Sequence, residues 1–336
     1  MNLKKNIKWL EIASVYIGTV IGAGFASGQE ILQFFGNYGY IGVLGIIVAT
    51  IMFSAIGALL LYKVYINKLN NYQEVIFPVL GKKLGNIIEF FMLSYLLIGF
   101  CIMLAGSGAL FKEQLNMTYN MGLIVMAMLT LVTIMYSVKG ITVVNKILVP
   151  ALLIGIIVVG VSAMVSGVWT ISEITPSQYL KYDWFMSSIL YVSYNIMSAI
   201  VVLSSLLPVI KNKESAIVSG TIGGVGLGIM SIFILMPILL NYNEASTAEI
   251  PMLKISQYLG SKGDIIYSIM LWVAMFTTAV SNAFGFITRI CDIININSKV
   301  MTIIFCLGVI PLAKLGFSNL VSTFYPIFGY IGAIFL

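Results

Sequence analysis

Histidine is absent from all 336 residues. Without it no Ser-His hydrolase and no HExxH metalloprotease can be assembled, and any proton relay has to run through carboxylates. Cysteine is scarce: Cys101, Cys291 and Cys306 lie within or at the end of apolar runs with no paired spacing, so neither a disulfide framework nor a cysteine metal centre is expected. Charge is scarce too, at 9% of residues against about 25% in an ordinary globular chain. With 60% hydrophobic residues and a mean hydropathy of +1.04, the chain is built for a bilayer.

What is present are long charge-free windows. They run over 12–29, 31–62, 90–111, 114–138, 147–172, 184–210, 215–243, 265–288, 300–313 and 315–336, the ninth extended back across Lys299 to Asn297, where a lysine can snorkel. A helix crosses a hydrocarbon core of ~30 Å in about 20 residues, so ten spans are expected. Placing the N-terminus inside leaves five of the 18 Lys and Arg residues outside, Lys112, Lys181, Lys254, Lys262 and Lys314, against thirteen on the cytoplasmic side. That asymmetry predicts cytoplasmic N- and C-termini. The net charge of +6 is then a topology signal, and no nucleic-acid partner follows from it. The first residues resemble a secretory signal, but Glu11 interrupts the start of the apolar run.

The spans divide into two sets of five: 1–168, a polar extracellular loop at 169–182, and 183–336. An odd number per set makes the two halves enter the membrane from opposite sides, which is the arithmetic of an inverted repeat. Two polar stretches, 167–183 and 241–263, are expected to form short surface helices over the outer mouth, the second starting near Pro251. The cytoplasmic loop 63–85 is expected to hold a short interfacial segment.

The first span contains "IGAGFASGQE", residues 21–30. Gly22 and Gly24 lower the cost of leaving helical geometry, and a broken helix is tolerated in a membrane only where its backbone lines a cavity or is covered by protein. A helix restarting near Phe25 offers N–H groups at Ala23, Gly24 and Phe25 to a substrate carboxylate, while the end near Ile21 offers carbonyls to a cation. Packing of small residues against a neighbouring helix is the plainer use of such glycines. Glu30, about a turn beyond, favours the functional use, since a carboxylate there must be wet, paired or protonated. The Gly-x-Gly-x-x-Ser spacing also resembles a dinucleotide fingerprint, but no strand precedes it.

By inverted symmetry a second break is expected in the sixth span at Tyr191–Asn195, where Ser193 and Asn195 can compete for backbone hydrogen bonds. Tyr191, Ser193, Tyr194 and Asn195 would then take the substrate's amine or side chain. Phe25, Tyr95, Tyr191 and Tyr194 are the candidate aromatic walls. The eighth span adds Thr277, Thr278, Ser281 and Asn282, more hydroxyl and amide oxygen than back-bonding needs and the type of ligand a hard cation takes.

"GAGFASGQE" after a lysine-rich start closely resembles the YkvI-like amino-acid permeases, within the amino acid, polyamine and organocation superfamily, and the resemblance covers essentially the whole chain. It implies a fold of the LeuT type: an all-α polytopic membrane protein with ten transmembrane helices in a five-plus-five inverted repeat, helices 1 and 6 unwound at mid-membrane. It implies no enzyme, but a secondary-active symporter of a small amino acid or related amine in a bacterial cell (inner) membrane, working by alternating access. Compared with sodium-coupled relatives, Gly18 and Ile21 match the carbonyl ligands of the first span. Ala274, Thr277 and Thr278 match the carbonyl and two hydroxyls of the eighth.

Proton-coupled relatives carry a lysine in mid fifth span, where this chain has only Lys146 at the cytoplasmic end, so Na⁺ is favoured. H⁺ held on Glu30 is the alternative. Gly28, Gln29 and Glu30 stand where those relatives often carry a gating arginine, which makes Gln29 and Glu30 the coupling or gate candidates; Glu89 lies nearer the cytoplasmic end. A non-transporting nutrient sensor would use the same pocket, and the end of the chain at Leu336 without a signalling domain speaks for transport. An intramembrane aspartyl protease is excluded by the outer-end positions of Asp183 and Asp264 and by the Gly260-x-x-Gly263 spacing. The expected partners are the small-molecule substrate and lipid, with the chain a monomer or of undetermined oligomeric state.

Overall fold

The computed structural model describes residues 3–69, 72–136, 141–166 and 183–334, so the expected helix in the 167–183 loop lies almost wholly outside the described residues. The described residues are helical throughout, without strands. In chain order the α-helices are α1 (Leu3–Val20), α2 (Ala23–Ala26), α3 (Gln29–Phe34), α4 (Ile41–Asn67), α5 (Tyr72–Leu115), α6 (Tyr119–Tyr136), α7 (Ile141–Ser166) and α8 (Trp184–Ser204). They continue with α9 (Lys213–Leu240), α10 (Tyr242–Ala245), α11 (Pro251–Ser256), α12 (Gly260–Ile294), α13 (Ser298–Gly308), α14 (Ile310–Ala313) and α15 (Phe317–Ala333).

Among the described residues, seven helical stretches are long and apolar enough to cross a membrane: α4, Glu89–Leu115, α6, Ile147–Ser166, α8, α9 and Pro251–Ile294. Trp9–Val20 is a shorter apolar helix, and Ser298–Ala313 meets Phe317–Ala333 at 103° across a short break.

Helix ends follow local chemistry. Asp183 caps α8 by accepting from the Met186 N–H at 2.7 Å. Asn212 and Ser215 form a reciprocal capping box at the start of α9. Inside the bundle, where lipid supplies no hydrophobic drive between helices, close approach needs small residues. Gly220, Gly224 and Gly228 recur every four residues on one face of α9, and a Cβ on any of them would strike Ala58, Ser54 or Thr50 of α4. Tyr16 of α1 closes the third side, donating to the Phe53 carbonyl at 3.0 Å. Since the obstacle at Gly220 is the α4 backbone itself, Gly220→Val is expected to destabilise the protein by about 3 kcal/mol or more, the upper end for overpacking. A thermal unfolding curve in detergent checks it; an unchanged midpoint would show that α4 and α9 do not meet this way.

Three sequence expectations need correcting. The break expected at Tyr191–Asn195 does not occur: α8 runs unbroken through it. The polar side chains bond within their own helix instead, Ser193 Oγ donating to the Ile189 carbonyl at 2.6 Å and Asn195 Nδ2 to the Tyr191 carbonyl at 3.0 Å. With no Gly or Pro there, nothing else interrupts the ladder. In the 63–85 region, the expected interfacial segment is the start of the 44-residue helix α5, continuous with the span that follows. Finally, α11 starts at Pro251 as expected but is not a surface helix: Pro251, Met252, Leu253, Ile255 and Ser256 are all buried, and Lys254 alone faces outward.

Candidate functional site

The first span does break. Helix α1 stops at Val20, and the chain passes through an extended Gly22, φ −100° and ψ −169°, before α2 begins. The break leaves backbone groups on both sides without helical partners. Gly22 N–H turns to the Val20 carbonyl at 2.9 Å, so the carbonyls of Gly18, Thr19 and Ile21 accept no backbone bond among the described residues. Likewise, the N–H groups of Ala23, Gly24 and Phe25 donate to no protein acceptor among the described residues.

Gly28 then turns the chain a second time, with φ +79°, a conformation that a side chain rarely adopts. This second turn folds α3 back so that the Glu30 carboxylate lies against Gly24, occupying the space a Gly24 Cβ would need. Glu30 is buried, and the Tyr194 hydroxyl of α8 donates to its Oε2. Tyr194 is held in place by stacking between Phe34 at 5.6 Å and Tyr325 of α15 at 4.7 Å.

These groups border a cavity of about 750 Å³, within the range of small-molecule sites. Of the expected residues, Ala23, Gly24, Glu30, Tyr95, Tyr194 and Asn195 line it. So do Gly18, Ile21, Ala274, Thr277 and Thr278, the five that resemblance assigns to sodium. Thr277 Oγ1 donates to the Ala274 carbonyl at 3.1 Å, whereas the Thr278 hydroxyl has no protein partner among the described residues. The donor set of backbone carbonyls and threonine oxygens is one a hard cation accepts.

Other expected residues lie off the cavity. Phe25 and Tyr191 are core residues, Tyr191 packing on Phe35 at 4.9 Å and on Phe53 at 5.7 Å. Ser193 serves its own helix. Gln29 donates through Nε2 to Ser318 Oγ at 2.7 Å and leaves its Oε1 buried without a partner. Several wall residues escaped sequence reading, Ser198 and Tyr325 among them. Ser198 stands three residues after Asn195 and so shares its helical face, a signal that was available. Tyr325 had none, since it sits in an apolar run.

Beyond Gly24 the chain is tied to its neighbours: Met252 N–H of α11 donates to the Ser27 carbonyl at 2.9 Å, and the Tyr267 hydroxyl donates to the Ala26 carbonyl at 2.7 Å. Glu249 caps α15 from the same region, accepting from the Phe317 N–H at 2.8 Å. At the other end the wall carries Glu89, Arg289 and Asp292, with Arg289 ion-paired to Glu89 yet 40% exposed.

Residues 6–318 match the spore permease family, described as spore germination protein. Over 333 residues, 97% of this chain and 93% of the relative, the sequence is 32% identical to the uncharacterized membrane protein YkvI of Bacillus subtilis (strain 168). It is 27% identical over 335 residues to the uncharacterized protein YyaD of the same organism, covering 99% of this chain and 95% of the relative. Among solved structures it is similar to Mhp1 in its inward-facing conformation, with a TM-score of 0.71 and 15% identity over 96% of this chain and 73% of that one. It is also similar to Mhp1, a nucleobase-cation-symport-1 family transporter, in a closed conformation with bromovinylhydantoin bound, with a TM-score of 0.61, 14% identity, and coverage of 94% and 74%. At these identities the likeness is one of fold, and that fold is LeuT-like.

Proposed function

The chain belongs to the spore permease family and is a YkvI-like permease rather than an enzyme, and from that premise we propose that it is a sodium-coupled secondary transporter of a small amino acid or related amine. The observation that carries the reading is the α1–α2 break. It brings unbonded N–H groups, unbonded carbonyls and a buried carboxylate to one cavity inside a membrane bundle. A packing role for the glycines would leave none of these groups facing space.

In this reading the legs count as ten: α1 to α3 form the first broken span and α4 to α7 complete the first half, residues 1–168. Helices α8, α9, α12, α13 with α14, and α15 form the second half, residues 183–336. Of the first and sixth spans only the first is broken, so α8 contributes side chains where α1 contributes backbone. Sodium sits between the Gly18 and Ile21 carbonyls and the oxygens of Ala274, Thr277 and Thr278. The substrate lies beside Glu30, Tyr194 and Asn195. With the termini inside, as the lysine distribution has it, the end carrying Glu89, Arg289 and Asp292 faces the cytoplasm. The cavity is then open inward, and α11 seals its outer side.

Thermal shifts of the purified chain against amino acids and amines, in NaCl and in choline chloride at two pH values, test this. A ligand bound at about 100 times its Kd adds roughly 2.7 kcal/mol to stability. A shift that needs sodium is the expected result. A shift indifferent to sodium but moved by pH transfers coupling to a proton on Glu30. The description of the family as spore germination protein favours one second reading, a sensor using the same pocket. Binding without flux in proteoliposomes separates it from a transporter.

A further inference from the structure

We propose that the cavity takes an organic cation: an amine whose ammonium pairs with Glu30 and which brings no carboxylate to the α1–α2 break. This narrows the substrate class of the proposed transporter and rests on that reading of the cavity.

Glu30 is 5% exposed and lines the cavity, yet among the described residues no lysine or arginine pairs with it. Arg289, also on the cavity wall, is committed to Glu89, and the chain has no histidine. The one side-chain bond to Glu30 comes from a neutral donor, the Tyr194 hydroxyl, at Oε2. A carboxylate taken out of water is costly unless it is hydrated, protonated or paired with a cation. The protein supplies no cation, so a pairing partner for the ionised Glu30 has to come through the cavity.

The surroundings decide which cation. A metal ion takes several oxygen ligands, whereas the groups set beside Glu30 are aromatic, Tyr194 at its carboxylate and Tyr325 next to Gly24, in a cavity that Tyr95, Leu93, Leu96 and Met103 also line. That lining suits an ammonium group on an apolar body, and about 750 Å³ is room for an organic molecule.

The same geometry disfavours a substrate carboxylate at this point. Glu30 Oε1 already lies against Gly24, at the helix start where that carboxylate was expected. A second anion there would meet like charge at short range in a medium that screens poorly. The Tyr194 hydroxyl, already donating to Glu30, is not free to donate to it.

The test uses the full chain in detergent with probes matched in side chain: 2-phenylethylamine, phenylalanine and 3-phenylpropionate, then isoamylamine, leucine and 4-methylvalerate, and a panel of aliphatic diamines at millimolar concentration. Amines are expected to bind at least about tenfold more tightly than the amino acids that share their side chain, with the acids not binding. In Glu30→Gln, which keeps an acceptor for Tyr194, amine affinity is expected to fall by about tenfold or more while the unliganded melting temperature holds.

Amino acids binding as well as their amines, silence across all the amines, or unchanged amine affinity in Glu30→Gln would each overturn the assignment. So would a sodium response that vanishes in Glu30→Gln without any amine binding. Amino-acid counterflow without amine binding overturns the amine class and leaves the transporter standing. Amine binding without any flux does the reverse.

Discussion

Gly24→Ala is expected to lower ligand affinity by about 10- to 100-fold, the range that 1–3 kcal/mol of overpacking produces. The new methyl would fall on Glu30 Oε1, 3.2 Å from Glu30 Cδ and 3.2 Å from the Tyr325 hydroxyl. Something must move, and Glu30 is the group without covalent reason to stay. Its displacement pulls the carboxylate away from Tyr194 and spoils both the charge and the shape of the pocket. Gly22→Ala is the control that separates this from a general effect of stiffening the break. Gly22 has no atom within 4 Å of its would-be Cβ, and its extended backbone suits any residue. It is expected to lose less affinity than Gly24→Ala, since its methyl meets the open cavity that Gly22 lines and leaves Glu30 in place. Isothermal titration of the two variants decides; equal losses, or none at Gly24, would remove Glu30 from the site.

The second large effect is on the ion. Thr277→Ala combined with Thr278→Ala is expected to abolish the sodium-dependent part of the thermal shift, about 2.7 kcal/mol at 100-fold saturation. The change removes the two proposed hydroxyl ligands and also the Thr277 donor that now rests on the Ala274 carbonyl. Thr277→Ser with Thr278→Ser keeps both hydroxyls and is expected to keep the sodium response, which distinguishes loss of ligands from loss of packing. If the double alanine variant responds to sodium as the parent does, the cation site lies elsewhere.

How much of this was legible in the sequence depends on whether the signal was local. The long helices follow from charge spacing, because lipid forbids isolated charges over ~30 Å and the chain obeys. The break at Ile21–Gly22 was legible because glycine acts on its own backbone, and Pro251 marked the start of α11 for a similar reason.

The failures are tertiary. Ser193 and Asn195 have side chains that can either break a helix or bond back along it, and only the packing of α8 against α15 decides between them. There a Cβ on Gly329 or Gly332 would strike the carbonyl of Leu190 or Ser193, so glycine is what lets the two helices meet. The left-handed turn at Gly28 that carries Glu30 back onto Gly24 was invisible, because "SGQE" reads equally as helix. Tyr325, some 300 residues from Glu30 in sequence, carries no local mark of its place in the cavity wall. The five sodium candidates were found by resemblance, and the structure brings all five to one cavity wall.

Purified protein in proteoliposomes, given an inward sodium gradient and the radiolabelled ligand found by the thermal-shift screen, tests ion-coupled transport most directly. Accumulation above the external concentration that collapses with the gradient, and is missing in the Thr277→Ala, Thr278→Ala variant, is the predicted result. Uptake that only equilibrates, at the same rate in sodium and in choline and at both pH values, would contradict it.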